Sequence, residues 1–156
     1  MNVRELLIET YVHIPPERAL EQLTAADAER RLQGAEHSIA EIVAHMSFWQ
    51  EWFCRRRQGG ADPMPAPAAN GWPDVKPGSW PDVRDEFAAG LERAVALADL
   101  SDRQITPAIE FPPLAHYTVG NALVHVAQHN SHHLGQAILL RQLMSLWPPP
   151  AGSWTW

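Results

Sequence analysis

The chain has 156 residues, 46% of them hydrophobic, and sets 12 Lys and Arg against 18 Asp and Glu for a formal net charge of −6. That apolar content excludes a disordered chain, and the length supports one core, so a single domain over residues 1–156 is expected. The acidic balance argues against nucleic acid as a partner, and the lone Cys54 excludes both a disulfide framework and a thiolate metal cluster, which fits a reducing cytoplasm.

From the N-terminus, Val3 to about Leu23 carries Leu6, Leu7, Tyr11, Leu20 and Leu23 at helical intervals, but Pro15 and Pro16 remove two backbone donors. A break or kink is predicted there. Charged Arg4 and Glu5 stand where a signal peptide would start its apolar core, and no apolar run is long enough to span a bilayer. No membrane partner is expected. The second helix is the clearest: Ser38 with Glu41 three places on forms a capping box, and the helix runs from Ile39 to about Gln58 before Gly59 and Gly60. Arg55, Arg56 and Arg57 lie at its C-terminal end, where cations suit the helix dipole.

GGADPMPAPAANGWPDVKPG, residues 59–78, is too rich in proline and glycine for regular structure and predicts a long connection. Ser79 is then the predicted cap of a third helix, with Pro81 in its first turn and a stripe of Val83, Phe87, Leu91 and Val95 running to about Leu100. Thr118 caps the fourth, VGNALVHVAQHNSHHLGQAILLRQLMSLW, which Pro148 to Pro150 stop. With no alternating strand pattern, the fold class is all-α, a four-helix bundle with its long proline-rich connection between helices 2 and 3.

The fourth helix concentrates imidazole. At about 100° per residue, with His129 set at zero, Val119, Val126, Ala137, Leu140 and Met144 fall between roughly +20° and +80°, and His133 at about +40°. His129 and His133 therefore point inward together, while His125 and His132 turn progressively toward solvent. Two histidines four apart can share one ion, although Asn130 stands where the glutamate of a protease HExxH motif would be. On the second helix His45 lies among Ile42, Met46, Trp49 and Phe53, also facing inward. A lone inward histidine is ordinarily a core residue with its hydrogen bonds satisfied. Three of them, on two facing helices, would leave several buried nitrogens without partners, and one divalent cation answers all three.

Three imidazoles on one ion leave a position open for water or substrate, as in catalytic rather than structural sites. Glu41, one turn before His45, and Gln136, near His133, are expected to support the ligands or line the pocket. Trp49 is expected in the core, and Trp52 either in the core or at the pocket wall. His13, His37 and His116 are expected at the surface. Trp147, Trp154 and Trp156 flank a PPPAGS tail that is expected to pack back on the bundle or against a second subunit.

His45 within SIAEIVAHMSFW, followed late in the chain by VHVAQHNSHHLGQ, resembles the DinB family of four-helix metal-binding proteins, and the likeness covers essentially the whole chain. The ending LRQLMSLWPPPAGSWTW is similar to the tail of a subset of that family. The resemblance implies an up-down-down-up bundle, commonly a homodimer, that binds Zn²⁺, Ni²⁺ or a similar ion through one histidine of the second helix and two of the fourth. The matching positions are His45, His129 and His133. Many members carry arginine after the last ligand, where this chain has Leu134. Relatives that use low-molecular-weight thiols, such as mycothiol-dependent isomerases and bacillithiol transferases, imply a metal-dependent enzyme of thiol transfer or hydrolysis acting on a small molecule. A non-catalytic, stress-related module that holds a metal or small molecule is the second reading.

Overall fold

Three long helices form the body of the fold in a computed structural model, which describes residues 2–57, 59–66 and 71–153. They are preceded by three short ones: α1 (Val3–Leu7), α2 (Pro16–Ala19) and α3 (Ala25–Ala28). The long ones are α4 (Ile39–Arg57), α5 (Trp80–Val95) and α6 (Val119–Leu143), and no strand forms among the described residues. No helix among them is long and apolar enough to cross a membrane.

The first helical stretch breaks earlier than its prolines require. α1 ends at Leu7, and Tyr11 and Val12 are 69% and 82% exposed rather than on a buried stripe. Ile8, Thr10, Val12 and Ile14 are β-branched and poor helix formers, and the Thr10 hydroxyl accepts a hydrogen bond from the backbone N–H of Val12 in competition with a helical turn. Pro16 then serves as the first residue of α2.

α4 begins as its capping box requires: the Ser38 hydroxyl accepts from Glu41 N–H at 3.2 Å, and the Glu41 carboxylate accepts from Ser38 N–H at 2.7 Å. Gln58 lies outside the described residues. α5 starts where expected but is capped differently. Ser79 makes no side-chain cap; its hydroxyl donates to the carbonyl of Lys76. The carboxylate of Glu29, just past α3, accepts from the N–H groups of Trp80 at 3.0 Å and Gly78 at 2.8 Å. An acid from a distant segment thus satisfies one orphan donor at the positive end of α5 and one just before it. α5 stops at Val95, and a 3₁₀ turn, Ala98–Leu100, replaces its expected last turn. α6 has a full capping box between Thr118 and Asn121, and it ends at Leu143, before the prolines, with Ser145 in the left-handed region at φ 60°.

α4 is the central element, packed against α5 on one side and α6 on the other. Its core residues Ile39, Val43, Met46, Trp52 and Phe53 meet Trp80, Phe87 and Leu91 of α5 and Val119, Leu123 and Val126 of α6 in one cluster. Buried Arg56 does more than balance a helix dipole. Its guanidinium donates to the carbonyls of Asp62, Pro107 and Ala108, tying together the two irregular connections. The tail folds back as far as it is described: Trp147 lies under Arg141, whose guanidinium carbon is 5.8 Å from the ring centroid, and Ala151 N–H donates to Glu21. Trp154 and Trp156 lie outside the described residues.

Candidate metal centre

The buried arc of α6 is wider than the apolar pattern alone suggests. Besides Val119, Val126, Ala137 and Leu140 it includes Leu123, Ala127, Asn130, Leu134 and Arg141, so it reaches from roughly +20° to +160° on the scale set by His129. One side of this arc faces α4 and the other faces α1 and α2. Leu134, 2% exposed, belongs to the second side, where it lines a small cavity with Leu7, Pro16 and Phe87. His129 and His133 stand at the edge facing α4.

There they meet His45. One ring nitrogen from each of His45, His129 and His133 lies within 4.8 Å of the others, and the Nε2 atoms of His45 and His129 are 3.2 Å apart. Two nitrogens bound to one tetrahedral zinc at its usual bond length stand about 3.3 Å apart, so the donor set fits such an ion. His45 and His133 are buried and His129 is half-buried.

Hydrogen bonds choose the tautomers. His45 Nδ1 lies 2.7 Å from the carbonyl oxygen of Gly71, which can only accept, so the proton sits on Nδ1 and the lone pair on Nε2. His133 Nδ1 lies 2.7 Å from Gln136 Oε1, which likewise leaves Nε2 as the free donor atom. Burial, reinforced by the neighbouring His133 and opposed by the Gly71 carbonyl, pushes the His45 pKa down to about 4. Burial and the two other rings push His129 down to about 3, against a pull from the Asn130 side chain. His133 is lowered as well, mainly by burial. All three are neutral at physiological pH, the form that binds a metal.

An aromatic sandwich closes one side. Trp72 stacks on His45 with ring centroids 3.8 Å apart and planes 9° from parallel, and His37 stacks on its other face at 3.6 Å. The Trp72 edge also meets His133 at 5.8 Å. Gly71 and Trp72 come from the irregular connection, and no periodicity there signalled them. The only sequence clue was a GW pair after a proline-rich run. His37, expected at the surface, is half-buried against this ring.

Glu41 serves the capping box and pairs with Arg31, and no hydrogen bond joins it to the histidines. Trp52 is 1% exposed and donates its indole N–H to the carbonyl of Pro63, so it is a core residue. Trp49, expected in the core, is half-buried instead and meets His45 edge-on at 6.5 Å. Gln136 touches His133 and lines a groove of about 410 Å³ with His37, Trp72, Ile42, Leu139 and Leu140. A larger hollow of about 530 Å³ lies away from the histidines, between α2 and α5, and holds no imidazole. His132 and His116 are exposed, and Tyr117 hydrogen-bonds His125 at 3.0 Å. Cys54 is buried, which pushes its thiol up to about 11 and leaves it protonated.

A helical scaffold that brings one imidazole from α4 and two from α6 to a common point defines a protein able to hold a metal ion between its helices. The DinB superfamily model matches residues 17–137, and the chain belongs to that superfamily. No curated protein and no solved structure shows a significant match to the chain.

Proposed function

We propose that this protein is a metal-dependent enzyme of thiol transfer or hydrolysis, working at a three-histidine site with an open coordination position. The observation that carries the reading is the donor set: three neutral imidazoles converge, and no fourth histidine, cysteine or carboxylate among the described residues joins the group. Zn²⁺ or Ni²⁺ suits such a set. When bound, the cation supplies Lewis acidity that favours the anionic form of a thiol or of water.

The chain's own residues do the rest. The Gly71 carbonyl and Gln136 hold the rings of His45 and His133 in the ligating tautomer. Trp72 covers the His45 face and excludes water from it. The groove beside Gln136, lined by Ile42, Trp72, Leu139 and Leu140, offers an apolar berth for a small electrophile. In the transfer reading a low-molecular-weight thiol gives up its proton to solvent and its sulfur bonds the electrophilic carbon. The leaving group departs with its electron pair. The three short N-terminal helices take the place of the first helix of an up-down-down-up bundle. A second copy of the chain is the partner suited to the exposed apolar face of α6, where Leu139 and Leu143, one turn apart, are 54% and 66% exposed.

The test is turnover. Untagged protein, metal-free or loaded with Zn²⁺ or Ni²⁺, is assayed against thiol and electrophile pairs and against simple esters and amides. Turnover that needs the metal and disappears in His133→Ala supports the enzymatic reading. Stoichiometric metal binding without turnover of any of them favours the non-catalytic module.

A further inference from the structure

The segment between α1 and α2 reaches the middle of α6 through the side chain of His13. Expected at the surface, His13 is half-buried, with Nδ1 2.8 Å from the carbonyl oxygen of Ile14 and Nε2 2.8 Å from the hydroxyl of Ser131. A carbonyl only accepts, so Nδ1 carries a proton, and in the neutral ring Nε2 presents a lone pair. The Ser131 hydroxyl then donates to Nε2. Serine, imidazole and an orienting oxygen stand in the order that makes a hydroxyl nucleophilic, with a backbone carbonyl where a triad has its carboxylate.

The segment is anchored on both sides of His13. The buried Thr10 hydroxyl accepts from Val12 N–H at 3.2 Å, Ile14 is fully buried, and buried Pro16 starts α2. His13 and Ser131 line the same small cavity as Leu7, Pro16 and Phe87, so the imidazole has apolar neighbours. Ser131 falls at about +200° on the scale set by His129, just beyond the buried arc on its α1 and α2 side, and it is exposed. Gly135 lies one turn further along α6, and a Cβ there would meet nothing within 4 Å, which leaves space near the hydroxyl open to a substrate.

We propose that Ser131 is a nucleophile and His13 its general base, a second reactive centre, separate from the three-histidine group, that takes activated acyl esters. Ser131 Oγ bonds the carbonyl carbon while its proton passes to His13 Nε2. The alcohol then leaves with the electron pair of its C–O bond and takes that proton. Water releases the acyl group as the acid, giving a proton to His13 that returns to Ser131 Oγ. In the middle of α6 the backbone N–H groups are spent on helical hydrogen bonds, so the oxyanion faces solvent. The centre is therefore restricted to esters with good leaving groups, such as aryl esters, and does not cleave amides.

The test treats the untagged full chain, stripped of metal by a chelator, with p-nitrophenyl acetate and separately with diisopropyl fluorophosphate, which loses fluoride to the same attack. Peptide mass spectrometry locates the adducts. Ser131 is expected to carry the acetyl and the phosphoryl group, at the same rate with and without added Zn²⁺, and Ser131→Ala to remove both. His13→Ala is expected to slow labelling of Ser131 about a hundredfold or more. Circular dichroism confirms that each variant is folded, and should His13→Ala fail to fold, the wild-type adduct map and Ser131→Ala decide alone. Adducts on other residues with none on Ser131, or a folded His13→Ala that labels Ser131 at the wild-type rate, overturn the proposal and reduce the pair to a contact that pins the segment to α6. Labelling that needs the zinc overturns it too, by assigning the chemistry to the metal centre. Failure to bind zinc would defeat the metal reading and leave this one standing.

Discussion

His45 Nδ1 donates to the carbonyl of Gly71 across 26 positions of sequence, at 2.7 Å. The bond joins the middle of the central helix to an otherwise irregular connection, and it is what directs the Nε2 lone pair at the other two histidines. Gly71 has little freedom there, since a Cβ would stand 2.5 Å from Trp49 Nε1 and 2.8 Å from Cε2 of the same ring. Gly71→Ala is expected to push the connection off Trp49, break the bond to His45 and lower zinc affinity about tenfold in chelator competition. Gly135→Ala is the matched control. Nothing lies within 4 Å of a Cβ at that exposed helical position, so the change is expected to raise stability by about 0.5–1 kcal/mol and leave zinc affinity alone.

Neighbouring histidines on α6 separate ligation from mere imidazole content. His133 is 9% exposed and belongs to the converging group, whereas His132 is exposed. His133→Ala is expected to abolish stoichiometric zinc uptake and His132→Ala to leave it nearly intact, by elemental analysis of untagged protein. Equal losses would refute the inward assignment.

Acid should destabilise the metal-free protein in a defined window. His45 and His129 titrate at about 4 and about 3 in the folded state because burial disfavours their charged forms. Unfolded, they titrate near 6.5, so between about pH 4 and 6.5 the unfolded chain binds more protons. Stability should therefore rise with pH through that window and fall as pH drops through it, with no further contribution from these rings above it. Urea unfolding of metal-free protein at about pH 5 and about pH 7 checks this, with the lower midpoint expected at pH 5.

Arg56 offers a stability prediction away from the histidines. Removing its guanidinium strands the carbonyls of Asp62, Pro107 and Ala108, so Arg56→Ala is expected to cost about 3 kcal/mol in urea unfolding. Zinc affinity should change little, because none of these carbonyls touches the three rings.

Helical order made part of this structure readable and left part of it hidden. Ser38 and Glu41, and Thr118 before α6, announce helix starts through local side-chain chemistry. The regular turn of about 100° per residue brings His129 and His133 to one face, and inward-facing His45 completes the set. Gly71 and Trp72 carry no such period, because a proline-rich connection is positioned by what it packs on. Glu29 capping α5 is equally silent in the sequence, since nothing local links it to Trp80 51 residues later. Trp49 and Trp52 share a helical face in the pattern, yet Trp49 lies against Gly71 at the border of the site while Trp52 is sealed in the core.

Anomalous scattering at the zinc edge, from crystals of untagged protein grown with Zn²⁺, tests most directly whether the three rings hold an ion. One peak per chain within bonding distance of His45, His129 and His133 Nε2 is the expected result. Zinc found only on exposed imidazoles such as His132 or His116, with the three inner rings turned apart or bridged by water, would contradict it.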